Sequence, residues 1–202
     1  MTTPNPFGIR SVRDRLDEIV QEYRQRGDVP RLLDRVTQLA REAPVDELVA
    51  AADAHQEMHE VAGPIFEAVV AREPENVRAL IGLANAFWLT GRGPDVVGAI
   101  ASRAIAVDPG NRAGWHLWAL TEPTPRGRTQ RWQQVCERFP DDLLAKANLA
   151  DNAAALAGAE DDPVALKTAV TTYETLLALT KQPAQRIALE QALAALRGGG
   201  RS

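Results

Sequence analysis

His55 and His59, in the run HQEMHE, are spaced so that on one continuous helix they stand a turn apart. Both imidazoles would then reach a single metal ion, with Glu60 or Asp53 as a third ligand. The order is not that of the H-E-x-x-H metalloproteases, because Gln56 follows His55 and Glu57 is displaced. With no distant ligand recognisable, the pair reads as exposed helix histidines, and neither a metal nor a cofactor is expected. Cys136 sits between Val135 and Glu137 with no histidine partner in view, the setting of a packed thiol rather than a nucleophile. Glu160, Asp161 and Asp162 precede Pro163 and lack the alternating ligands of a calcium loop. They suit the start of a helix, where the dipole favours anions. The basic stretch Arg126-Gly-Arg-Thr-Gln-Arg131 beside Trp132 has groups that grip phosphates and stack on bases, yet it reads better as a solvated loop. No phosphate-binding glycine loop, paired-glycine dinucleotide turn or nucleophile elbow is present. A non-enzyme is expected.

The whole composition agrees with that reading. Apolar residues make up 45% and charged residues 25%, as in a folded soluble chain. A formal charge of −4 lacks the basic excess of a nucleic-acid binder. One cysteine excludes an internal disulfide and suits a reducing compartment. The stretch from Met1 to Arg15 lacks the apolar core of a secretory signal. Arg103 interrupts the longest apolar run, short of the roughly 18–20 residues that span a bilayer. The expectation is a cytoplasmic protein that touches neither membrane nor nucleic acid.

The elements that must carry these residues are helices in pairs. Asn76 to Pro109 is the clearest stretch. Leu80, Leu83, Ala84, Phe87 and Trp88 recur at three-and-four spacing. Gly91, Gly93 and Pro94 then break the helix. Val96, Val97, Ile100, Ala104, Ile105 and Val107 form a second apolar helix, closed by Asp108 and Pro109. Before it, Ile9 to Arg26 reads as an amphipathic helix striped by Val12, Leu16, Ile19, Val20 and Tyr23, with Gly27 ending it. Asp28 and Pro30 open another, striped by Leu32, Leu33, Val36, Leu39 and Ala40. Val45 to Pro74 gives a hairpin in which Pro64 argues for a long first helix and a short second one opening at Pro64. Beyond Pro109, Trp115, Trp118 and Ala119 precede a turn from Thr121 to Arg128, then Trp132 and Val135. Leu149, Ala150 and Ala153 open a last hairpin that returns through Ala169, Tyr173 and Leu176. Pro183 to Leu196 is a final helix carrying Ile187, Leu189, Leu193 and Leu196.

These hairpins resemble the tetratricopeptide repeat, whose pattern is W-x2-L-G-x2-Y, then A-x3-F and a closing proline. Leu80, Leu83, Ala84 and Phe87 match its first half, and Val97, Ala101, Ala104 and Pro109 its second. Trp115, Trp118 and Ala119 match the next first half, with Arg128 in the slot for a small residue. The closing prolines Pro74, Pro109 and Pro140 stand about 31–35 residues apart, near the family's period of about 34. The resemblance implies an all-α, right-handed superhelical stack of helical hairpins, a TPR-like α-solenoid with a C-terminal capping helix. On that scheme residues 1–8 are a flexible arm and 9–43 an N-terminal helix pair, cap or divergent repeat. Residues 44–182 hold the repeats, 183–197 the capping helix and 198–202 a flexible tail.

The same resemblance implies a protein-interaction scaffold or adaptor, with a partner peptide or helix held in a concave groove lined by the first helix of each hairpin. Carried over residue by residue, the groove positions are Arg78, Ile81, Asn85 and Trp88, then His116 and Leu120, and finally Asp151. Asn85 is the most suggestive, since an amide both donates to and accepts from a peptide backbone. Ile81, Leu117 and Leu144 occupy places where the family's carboxylate clamp has lysine or asparagine, so that subtype is not expected. Arg78, Trp88 and His116 would favour a partner with apolar anchors and an acidic group. Two alternatives stand beside this reading. One is a self-assembling structural protein, a homo-oligomer formed through the N-terminal helix or the stack ends. The other is a metal-binding protein using His55 and His59.

Overall fold

A computed structural model describes residues 10–199, and these form eleven α-helices with no strand among the described residues. The expected arm at 1–8 lies outside them, as do residues 200–202 of the expected tail. The chain divides into two compact units, residues 1–114 and 115–202.

In the first unit, α1 (Val12–Arg26), α2 (Val29–Glu42), α3 (Val45–Ala54), α4 (His59–Arg72), α5 (Val77–Leu89) and α6 (Pro94–Val107) pair as successive hairpins. Each boundary has a local cause. Ser11 and Asp14 form a reciprocal capping box on α1, and Gly27, at φ 68°, ends it with its N–H on the Tyr23 carbonyl. Asp28 accepts from the Arg31 N–H to open α2, and Asn76 does the same for α5 through Ala79. Gly91 and Gly93, at φ 74° and 95°, reverse the chain before Pro94 starts α6. Leu16, Leu32, Val36, Leu48, Ile65, Phe66 and Leu80 are each no more than 2% exposed and make the core. The α1 stripe is spent there, since Val12, Leu16, Ile19 and Val20 are all buried within this unit, where α1 packs on α2 and α3. Tyr23, at the end of the same stripe, is half-buried.

Three expectations need correction. The second helix of the Val45–Pro74 hairpin does not open at Pro64; α4 runs from His59 with Pro64 inside it. An interior proline costs about 3 kcal/mol. Val61, Ile65, Phe66 and Val69, all buried in α4, each return about 1.5–3 kcal/mol on burial, so packing overrides the local penalty. The stretch Arg126 to Arg131 is not a loop but the first turns of a helix, because Thr124 accepts from the Gly127 N–H and Pro125 occupies the first turn. That start puts Thr129 rather than Arg128 in the small, buried position.

The second unit receives the end of α7 (Arg112–Leu120), which spans the division, and holds α8 (Pro125–Arg138), α9 (Leu143–Glu160), α10 (Pro163–Leu179) and α11 (Pro183–Gly199). Trp132 is 1% exposed at the centre of a cluster with Ala119, Val135, Ala145 and Leu149. A second cluster joins Ala150, Ala153, Ala169, Tyr173 and Leu176 to Leu193 of α11. Ile187, expected on the apolar face of that last helix, is instead 56% exposed. Of the acidic run, Asp162 caps α10 by accepting from the Val164 and Ala165 N–H groups. The Ala165 N–H, with Arg126 beside it, holds this carboxyl below the usual carboxylate range against the opposing pull of burial. Asp161 bridges the two helices in the left-handed region, at φ 49°.

Candidate functional site

Helix α5 is apolar on the side that meets α4 and α6, where Ala79, Leu80, Leu83 and Ala84 are buried. Its other side turns Arg78, Ile81, Asn85 and Leu89 outward at helical spacing, and these four line a cleft of about 690 Å³ in the first unit. That volume falls within the range of ligand-holding clefts, about 300–1,000 Å³. Asp53 from the last turn of α3 and Glu57 from the α3–α4 turn form one wall, with His59 and Phe66 of α4. Asp108 and Asn111, from the loop after α6, close the other side.

The cleft mixes an apolar floor with polar walls. Phe66 is buried against Gly82, where a built Cβ would fall inside the van der Waals envelope of three ring atoms. Gly82 is therefore what lets the ring lie against α5. Gly82→Ala would gain about 1 kcal/mol of helix propensity but must displace a buried ring, an overpacking cost of about 1–3 kcal/mol. A net loss of up to about 2 kcal/mol is expected in urea unfolding, and a variant more stable than the parent would show that the ring swings aside freely. Arg78 pairs with Asp53 across the α3–α5 face. Asn85 is exposed and forms no hydrogen bond among the described residues, so its amide is open to a ligand.

The remaining expected groove residues fare differently. Trp88 is 39% exposed but does not line the cleft. His116, Leu120 and Asp151 belong to the second unit and face partners inside it. His116 Nε2 lies 2.8 Å from Asp142 Oδ2, and its ring meets Trp132 edge-on at 5.2 Å. Leu120 packs on the Trp132 cluster. Asp151 accepts a 2.6 Å hydrogen bond from the Tyr173 hydroxyl, which burial and that carboxylate push well up from its ordinary range. Sequence reasoning missed Asp53, Glu57 and Asp108 as cleft residues, because they come from a helix end, a turn and a loop that carry no periodic signal.

The groups singled out for chemistry are engaged elsewhere. His55 ends α3 and pairs with Asp17 of α1 at 2.7 Å, while His59 begins α4 after an intervening turn. They do not share a helix, so the one-turn spacing that a shared metal required is absent. Cys136 is half-buried, and burial pushes its thiol up to about 11, leaving almost no thiolate at neutral pH. Arg126 pairs with Glu160 and Asp162, and Arg128 Nε donates to Asn152 at 2.9 Å. Arg131 pairs with Glu122, donates to the Trp118 carbonyl at 2.7 Å and lies 4.5 Å from the Trp118 ring centroid.

No match to the chain is found among protein-family models or curated proteins. Solved structures, however, match closely in shape. A thermophilic TPR protein from Thermus thermophilus superposes with TM-score 0.58 at 16% identity, over 91% of this chain and 99% of that one. PilF from Pseudomonas aeruginosa gives 0.60 at 15%, over 92% and 88% respectively. YrrB, described as a TPR protein with an unusual peptide-binding site, gives 0.59 at 12%, over 89% and 93%. No helix among the described residues is long and apolar enough to cross a membrane. With its succession of capped helical hairpins and these neighbours, the chain has the all-α fold of the tetratricopeptide-repeat proteins.

Proposed function

We propose that this chain is a non-catalytic interaction module whose first unit holds a segment of a partner protein in the cleft along α5. The observation that carries this reading is Asn85, exposed between Ile81 and Leu89 on the outward side of α5 where it lines the cleft. An amide in that place can donate to and accept from an extended backbone, while the apolar floor beside it seats a side chain. The fold neighbour with a peptide-binding site supports the same role. His55 and His116 are paired with Asp17 and Asp142, and burial raises the Cys136 thiol, so these three groups are engaged within the fold.

The test is a photo-crosslinking amino acid placed at Asn85, with the exposed Ser102 of α6 as the control position. Crosslinks to one partner from position 85 and none from position 102 are expected. Ile81→Ala combined with Asn85→Ala should weaken capture about tenfold or more while the circular dichroism spectrum stays unchanged. Equal crosslinking from both positions, or capture unaffected by the double substitution, would remove the cleft from consideration.

A further inference from the structure

We infer that the occupant of the α5 cleft is a basic protein segment, one that brings a lysine or arginine between Glu57 and Asp108. The inference rests on the cleft being the binding site. Three carboxylates, Asp53, Glu57 and Asp108, line the cleft against one guanidinium, that of Arg78. Arg78 pairs with Asp53, which leaves Glu57 and Asp108 as the surplus carboxylates of the lining. Glu57 and Asp108 form no ion pair among the described residues; the Asp108 carboxylate accepts the Gly110 N–H of its own turn, at 2.9 Å. A neutral donor of that kind leaves the carboxylate charge uncompensated.

The surplus charge is therefore negative, which disfavours the acidic group that Arg78, Trp88 and His116 suggested from sequence. Arg78 and His116 are each paired with a carboxylate of the fold, Asp53 and Asp142. Charge complementarity across an interface selects partners and speeds their encounter, and like charges placed together reject the wrong ones. The apolar floor of Phe66, Ile81 and Leu89 adds to this selection. A lysine or arginine stem lies along apolar surface while its charged head stays near a carboxylate in water.

The probe is a library of randomised peptides displayed on phage, selected on the full chain and followed by fluorescence anisotropy of the recovered peptides. Recovered peptides should carry more Lys and Arg than Asp and Glu, and should lose binding to the Ile81→Ala/Asn85→Ala variant. They should also bind about tenfold more weakly to a Glu57→Lys/Asp108→Asn variant and progressively more weakly as salt rises. Asparagine at 108 retains the acceptor for Gly110, so the turn survives the change. Neutral or acidic peptides that still depend on Ile81 and Asn85, or basic ones indifferent to the 57/108 changes, overturn the charge assignment and leave the cleft reading standing. Recovery of no peptide that depends on Ile81 and Asn85 overturns both.

Discussion

Trp132→Ala is expected to lower the stability of the chain by about 3–5 kcal/mol, more than any other single substitution considered. The indole is 1% exposed and fills the space between Ala119, Val135, Ala145 and Leu149, small or branched neighbours that cannot expand into the gap. Truncation therefore removes the transfer energy of the ring and leaves a cavity in α8's contact with α9. The His116 ring, edge-on to the indole, loses its partner as well. Trp132→Phe should cost much less. It retains most of the aromatic volume and removes an indole N–H that is buried without a hydrogen-bond partner among the described residues. Urea unfolding followed by circular dichroism separates the two variants. An alanine variant within about 1 kcal/mol of the parent would mean that the surrounding helices collapse onto the site.

Asp142→Ala is expected to cost about 2–4 kcal/mol. Asp142 is 4% exposed and does two things at once: Oδ1 accepts from the Ala145 N–H at the start of α9, and Oδ2 lies 2.8 Å from His116 Nε2. Loss of a helix cap accounts for about 1 kcal/mol. Breaking a buried pair reaches about 3–5 kcal/mol when a charge is stranded; here the cost falls below that, because the imidazole left behind is half-buried and still reaches water. Asp142→Asn retains the cap oxygen and a hydrogen-bonding group for His116, so it should be much milder. Amide exchange at Ala145 should quicken in the alanine variant and hardly change in the asparagine one. If His116→Ala costs as much in the Asp142→Ala background as in the parent, the two side chains are not coupled. Through this pair His116, a groove candidate by position, also links α7 to α9.

The helices themselves were legible because their signals are local. Asp28 and the acidic run ending at Asp162 announce helix starts, and Gly27, Gly91 and Gly93 mark reversals that only a residue at ease with positive φ adopts. Apolar spacing then told which side of each helix goes inward, and Leu80, Leu83, Val97 and Ala101 are buried as their period required. Pro64 escaped this logic. A local rule sees its missing N–H and its ring, whereas the burial of Ile65 and Phe66 against other helices is a sum over distant partners.

By itself, then, the sequence determined a chain of capped, paired helices, their inward sides and Asn85 as an exposed amide on α5, since each follows from neighbours within a few residues. Tertiary structure alone decided what those side chains meet. It placed Asp53 on Arg78 and Asp142 on His116, set Phe66 against Gly82, separated His55 from His59, and gathered Glu57 and Asp108 around one cleft. The physical reason is that charge pairing and cleft shape depend on distances between elements far apart in the chain, and those distances are fixed only when the apolar sides of the helices have packed.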